Sequence, residues 1–191
     1  MLQGRNIIKK VEYCNGWQNS GGKPFVIFTE DQARDIHESI GNYGVMFYTN
    51  DGEIPSIVVE LQGSIQTNRI LNVKFLGENG EMKFIYYYKM IKESKDFYLF
   101  SAMHFYGERS GESLMDHTIR MRHTFDYDGT ATSTVFIDRK KPEKLFWNCD
   151  VSKHYKKHPE FNQYEDFLDL DFGQDWNISA ETLADVQRPP V

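Results

Sequence analysis

Between residues 44 and 150 the chain repeats one pattern: a run of alternating apolar and polar side chains, then a short turn. The runs cover 44–49, 54–62, 69–76, 81–92, 97–106, 115–127, 130–138 and 144–150. Alternation of this kind is the signature of strands, whose successive side chains point to opposite faces. Asn50-Asp51-Gly52, Glu78-Asn79-Gly80 and Asp128-Gly129 supply the turn chemistry between them. A parallel pair needs a crossover of about a dozen residues or more. Linkers this short therefore dictate antiparallel neighbours in chain order. The expected fold is mainly β with minor α, an up-and-down meander of about eight strands. Such a sheet twists and tends to close on itself, because closure removes exposed edges. The sequence thus predicts a calycin-like barrel or curved half-barrel.

One helix is expected near residues 30–40. Thr29 and Gln32 form a capping box, Ala33, Ile36 and Ile40 share a face, and Gly41 follows the last turn. Residues 25–28 read as a short strand and 15–24, rich in Gly, Asn and Ser, as a loop. Residues 1–155, with the 29–41 helix, are expected to form a single domain. The acidic stretch 156–191 either packs on that domain or is partly disordered. Within it, Pro159 opens a short helix carrying Phe161, Tyr164 and Leu168, and a second helix is expected over 179–186. Gly16-Trp17 resembles the Gly-x-Trp of a lipocalin's first strand in two residues, without the intervening one, and identifies no family.

Of 191 residues, 22 are basic and 28 acidic, a net charge of −6. That balance opposes nucleic acid and anionic membranes as partners, since both require a positive surface. A basic protein partner is compatible with it. Residues 1–13 lack the apolar core of a signal peptide, and no run approaches the roughly eighteen apolar residues of a membrane span, so a cytoplasmic address is expected. Cys14 and Cys149 are too few for a disulfide scaffold and read as free thiols, with a single bridge between them as the alternative.

Aromatic residues make up 15% of the chain and concentrate on consecutive strands. Phe84, Tyr86 and Tyr88 alternate on one, and His104 sits among rings on the next. On the strand after that, His117, Met121 and His123 share a face while Arg120 falls on the other. These eight residues are the candidate ligand contacts: rings to hold a small hydrophobic or aromatic molecule in a barrel lumen, imidazole and phenol groups to orient it, and Arg120 to meet a carboxylate. The same residues also suit a packed core. His154 and His158 have helical metal-ligand spacing, but Lys153, Lys156 and Lys157 surround them, and the sequence reads there as an exposed basic turn. No catalytic motif is present and no cofactor is required by the sequence. Small-ligand binding is the first functional expectation. An acidic protein-binding module, such as an inhibitor or immunity protein of a basic partner, is the second. A barrel enzyme using His and Tyr acid–base chemistry is the third.

Overall fold

The computed structural model describes residues 8–19, 22–39, 41–63, 69–109, 117–137 and 140–168, with backbone alone at 107–109. The expected helix over 179–186 lies outside them. Strand β1 (Lys10–Cys14) leads into a small hairpin of β2 (Trp17–Gln18) and β3 (Lys23–Pro24), then β4 (Ile27–Phe28) and helix α1 (Glu30–Glu38). The meander follows: β5 (Tyr43–Tyr48), β6 (Ile57–Gln62), β7 (Ile70–Leu76), β8 (Met82–Met90), β9 (Phe97–Arg109), β10 (His117–Phe125), β11 (Thr130–Ile137) and β12 (Glu143–Asn148). A two-residue β13 (Tyr155–Lys156) pairs with the start of β9.

Every ladder in this sheet is antiparallel, and neighbours from β5 to β12 follow chain order, as the short turns require. Strand β1, not foreseen from the sequence, pairs with β5 and carries β4 on its outer side. Its signal is brief: Val11 and Tyr13 alternate with Lys10 and Glu12. The path has two ends, β4 and β12, and among the described residues no ladder joins them. Of the two expected forms, barrel and curved half-barrel, the closed barrel is not found among the described residues.

The two faces carry different cores. Val45, Val59, Val73, Tyr86 and Tyr88 belong to the larger one, which α1 and the segment 151–168 cover. Met46, Val58, Ile85 and Met103, alternating with those residues, form a second core with Cys14 and Trp17. Burial on both faces explains why β5 is buried along its whole length. Helix α1 forms as its capping box dictates: Gln32 N donates to Thr29 Oγ1 (3.2 Å), and Thr29 N to Gln32 Oε1 (2.9 Å). The helix ends at Glu38, with the Ser39 N–H bonded to the Ile36 carbonyl at 3.3 Å.

The helix expected after Pro159 does not form. Asn162 takes a positive φ of 67°, which breaks a right-handed helix, and only a 3-10 turn appears at Glu165–Phe167. The gain is tertiary: the irregular path inserts Tyr164 and Phe167 into the larger core. The exposed basic turn at 154–158 is also corrected. His154 is buried against Phe125, and His158 stacks on Phe97.

Candidate functional site

The structure brings five of the eight candidate ligand contacts together on the larger-core face. Phe84 and Tyr86 come from β8, His104 from β9, and Met121 and His123 from β10. The cross-strand partners Phe84↔His104↔Met121 set this register. His104 stacks on Phe84 at 5.7 Å between centroids and meets His123 edge-on at 5.4 Å. His123 Nδ1 pairs with Ser133 Oγ at 2.8 Å, and the Trp147 indole N–H donates to the same hydroxyl at 2.8 Å. Burial, reinforced by His104, pushes the His123 pKa down to about 3, so the ring is neutral at pH 7.

The other three lie outside this group. Tyr88 is also in the larger core but packs on Phe167 at 5.2 Å, and Arg120 lies over Phe136 on the opposite face, 6.0 Å from its centroid. His117 and His123 share a strand, but six residues of extended chain place them about 20 Å apart along it. His117 packs its ring against Phe105 at 5.4 Å.

A concave polar site lies on the opposite face of the sheet. Residues 15–19 and 22–25 fold over strands β6, β7 and β8, leaving a cavity of about 380 Å³. Its position follows from one cross-strand row, Gly44↔Glu60↔Asn72↔Tyr87, whose polar members alternate with the larger core's apolar residues. Glu60 and Lys74 form an ion pair at 2.8 Å with both side chains only 6% exposed. Glu60 Oε1 also accepts the Trp17 backbone N–H (2.7 Å), and Lys74 Nζ donates to Asn19 Oδ1 (3.1 Å). The covering segment is thus tied to the sheet through the ion pair. Gly44 lets Cys14 and Glu60 approach: a Cβ there would sit 2.9 Å from Cys14 Sγ. Burial pushes the Cys14 thiol up to about 11, which keeps it protonated and unreactive at neutral pH.

Two residues lining this cavity each carry a buried polar atom without a partner. Among the described residues, the Trp17 indole N–H, on a residue 4% exposed, meets no acceptor, and Asn72 Oδ1 meets no donor. Asn15, Asn42 and Gln62 add further carboxamides, and Phe25 and Tyr87 add ring faces. Burial raises the Tyr87 phenol above its usual value, against the opposing effect of Arg122. Asn42 Oδ1 is already occupied by the Gly63 N–H at 3.0 Å.

Sequence reasoning missed this site. The chain matches no protein-family model, no curated protein and no solved structure. The signal that could have found it is the pair of polar residues, Asn72 and Lys74, on a strand whose other face is wholly apolar, together with Glu60 on the strand before. Cys14 and Cys149 are both free thiols. Among the described residues no helix is long and apolar enough to cross a membrane.

A third polar cluster sits under the C-terminal segment. Arg69 is fully buried, its Nη atoms donating to the His37 carbonyl at 3.3 and 3.2 Å, with Nη1 3.3 Å from His158 Nε2. Among the described residues no carboxylate pairs with it. His37 Nδ1 bonds the Tyr43 hydroxyl, which bonds that of Tyr164. Burial, then the Arg69 charge, takes the His37 pKa down to about 4, and burial raises the Tyr164 phenol to about 12. These groups hold the cover onto the sheet.

Proposed function

We propose that the chain is a small-molecule binding protein whose ligand is an uncharged polar molecule, held between residues 15–19 with Phe25 and strands β6 to β8. The carrying observation is that Trp17 and Asn72, two residues lining one cavity, bear a buried donor and a buried acceptor that meet no partner among the described residues. A buried polar group without a partner costs about 1–3 kcal/mol. A ligand offering an acceptor to one and a donor to the other recovers that cost once a small side-chain rotation turns each buried atom toward the cavity. The ligand is neutral because Lys74 and Glu60 already cancel each other's charge. Carboxamides donate and accept together, which suits a molecule presenting both kinds of group, such as a sugar or a nucleobase. Phe25 and Tyr87 supply flat faces beside them. The volume lies within the range of about 300–1,000 Å³ usual for small-molecule pockets.

The competing location is the ring-bearing face of Phe84, Tyr86, His104, Met121 and His123, where a hydrophobic ligand would lie. One experiment separates the two. The indole N–H resonances of the protein are followed while adenine, cytosine, glucose or laurate is added at millimolar concentration. Trp17 reports on the polar cavity and Trp147, through Ser133, on the ring-bearing face. The expected result is a saturable shift of the Trp17 resonance with an uncharged polar probe, lost in Asn72→Ala. A shift of Trp147 alone with laurate would move the site to the other face. Silence from every probe at both indoles would end the reading.

A further inference from the structure

We infer that the outer edge of β12 is a self-complementary dimerisation surface, on which a second copy of this chain adds its own β12 in antiparallel register. The ladder between β11 and β12 decides which backbone groups remain free. Thr130 faces Asn148, and the Cys149 N–H donates to the Gly129 carbonyl at 2.9 Å. That bond marks Thr130–Asn148 as a non-hydrogen-bonded pair, so the pairs alternate from there along the strand. Glu143, Leu145 and Trp147 turn their N–H and C=O groups inward to β11. Lys144, Phe146 and Asn148 turn theirs outward, where no described residue meets them.

The side chains are as open as the backbone. Phe146 is 75% exposed and Leu145 57%. An edge strand with free backbone groups and exposed apolar side chains is a template for a further strand, and native sheets usually blunt such an edge. Here the strand has six residues and no proline within it.

The occupant follows from symmetry and charge. Lys144, Phe146 and Asn148 are evenly spaced about Phe146. Two copies related by a two-fold axis there pair Phe146 with Phe146 and Lys144 with Asn148, so all three outward residues exchange backbone hydrogen bonds. A register shifted by one residue to either side pairs only two of them within the strand. No like charges face each other: Glu143 falls opposite Cys149, and Lys144 lies diagonal to Asp150 of the other copy. The interface is isologous and closes at two subunits, joining two sheets into one.

Analytical ultracentrifugation over a range of concentrations, combined with amide hydrogen exchange, tests this. The expected result is a monomer–dimer equilibrium in which dimerisation slows exchange at Lys144, Phe146 and Asn148. Exchange at Leu145 and Trp147, already bonded to β11, changes little. Phe146→Asp, at an exposed position, should keep the far-UV spectrum and melting temperature yet remain monomeric. On a Cys149→Ser background, Phe146→Cys should form an intermolecular disulfide on mild oxidation, since hydrogen-bonded partners lie about 5.5 Å apart at Cα. Lys144→Cys alone should not, because its copies are four residues out of register. A monomer at all concentrations, an open-ended series of oligomers, cross-linking through Lys144→Cys instead, or edge protection appearing only with an added acidic peptide would each overturn the proposal.

Discussion

Single residues decide more here than their local sequence suggests. Glu60 and Lys74 sit on neighbouring strands with almost no exposure. Removing one partner from a buried ion pair strands the other charge, at a cost of about 3–5 kcal/mol, whereas removing both together is often neutral. Glu60→Leu and Lys74→Met should therefore each lower stability strongly in urea unfolding, while the double variant recovers most of the loss. Gly44 gives a second case. Alanine there places its Cβ 2.9 Å from Cys14 Sγ, and overpacking of this kind costs about 1–3 kcal/mol. The penalty should shrink in a Cys14→Ala background, and a double-mutant cycle measures the coupling. Neither contact is visible locally. Cys14 and Gly44 are partners across the β1–β5 ladder, whereas in the sequence Gly44 reads only as the start of a strand.

At the scale of elements, the segment 151–168 behaves as a cover rather than a tail. Tyr164 and Phe167 are 1% exposed, and the Tyr13 hydroxyl donates to Asn162 Oδ1 at 2.6 Å. Truncation of a buried ring costs about 3–5 kcal/mol. Phe167→Ala should fall in that range by chemical denaturation, although the residue lies outside the sheet. The cover also places histidines in apolar surroundings. Burial lowers His154 to about 4 and pushes His158 below its usual value; His37, on the helix beneath, stands at about 4. With folded values below the ordinary 6.5, these rings bind protons more readily in the unfolded chain. Stability should accordingly be complete above pH 6.5 and fall as the pH drops from there toward 4. Hydrogen exchange should show 151–168 loosening ahead of β6 and β7. Melting temperature against pH, compared with His154→Leu, measures the share of one ring. The capping box of α1 was legible because it is a four-residue signal. The irregular cover was not, since its path is set by where Tyr164 and Phe167 fit rather than by any local periodicity.

At the scale of the whole molecule, the sheet has two unequal ends. Strand β4 is two residues long and too short to template much pairing; β12 is longer and presents Phe146 and Leu145 to solvent. A sheet with one blunted and one receptive edge favours closed pairs over long assemblies. The bulges have a comparable reach. The extra residue at Phe100 shifts the β8–β9 register between Tyr87 and Tyr88, while plain alternation along β8 sends the three consecutive tyrosines to different structures. Tyr86 and Tyr88 enter the larger core while Tyr87 lines the polar cavity. By itself the sequence determined the strands from 44 to 150, their antiparallel order and the one capped helix, because alternation, short turns and caps are local and act through a few neighbouring residues. Only the tertiary structure decided that no ladder joins β4 to β12 among the described residues, which histidines meet, and that the cavity lies on the face away from the helix. Those outcomes depend on register and on contacts such as Trp17 with Glu60, made by residues far apart in the chain, which the order of side chains along a strand does not encode.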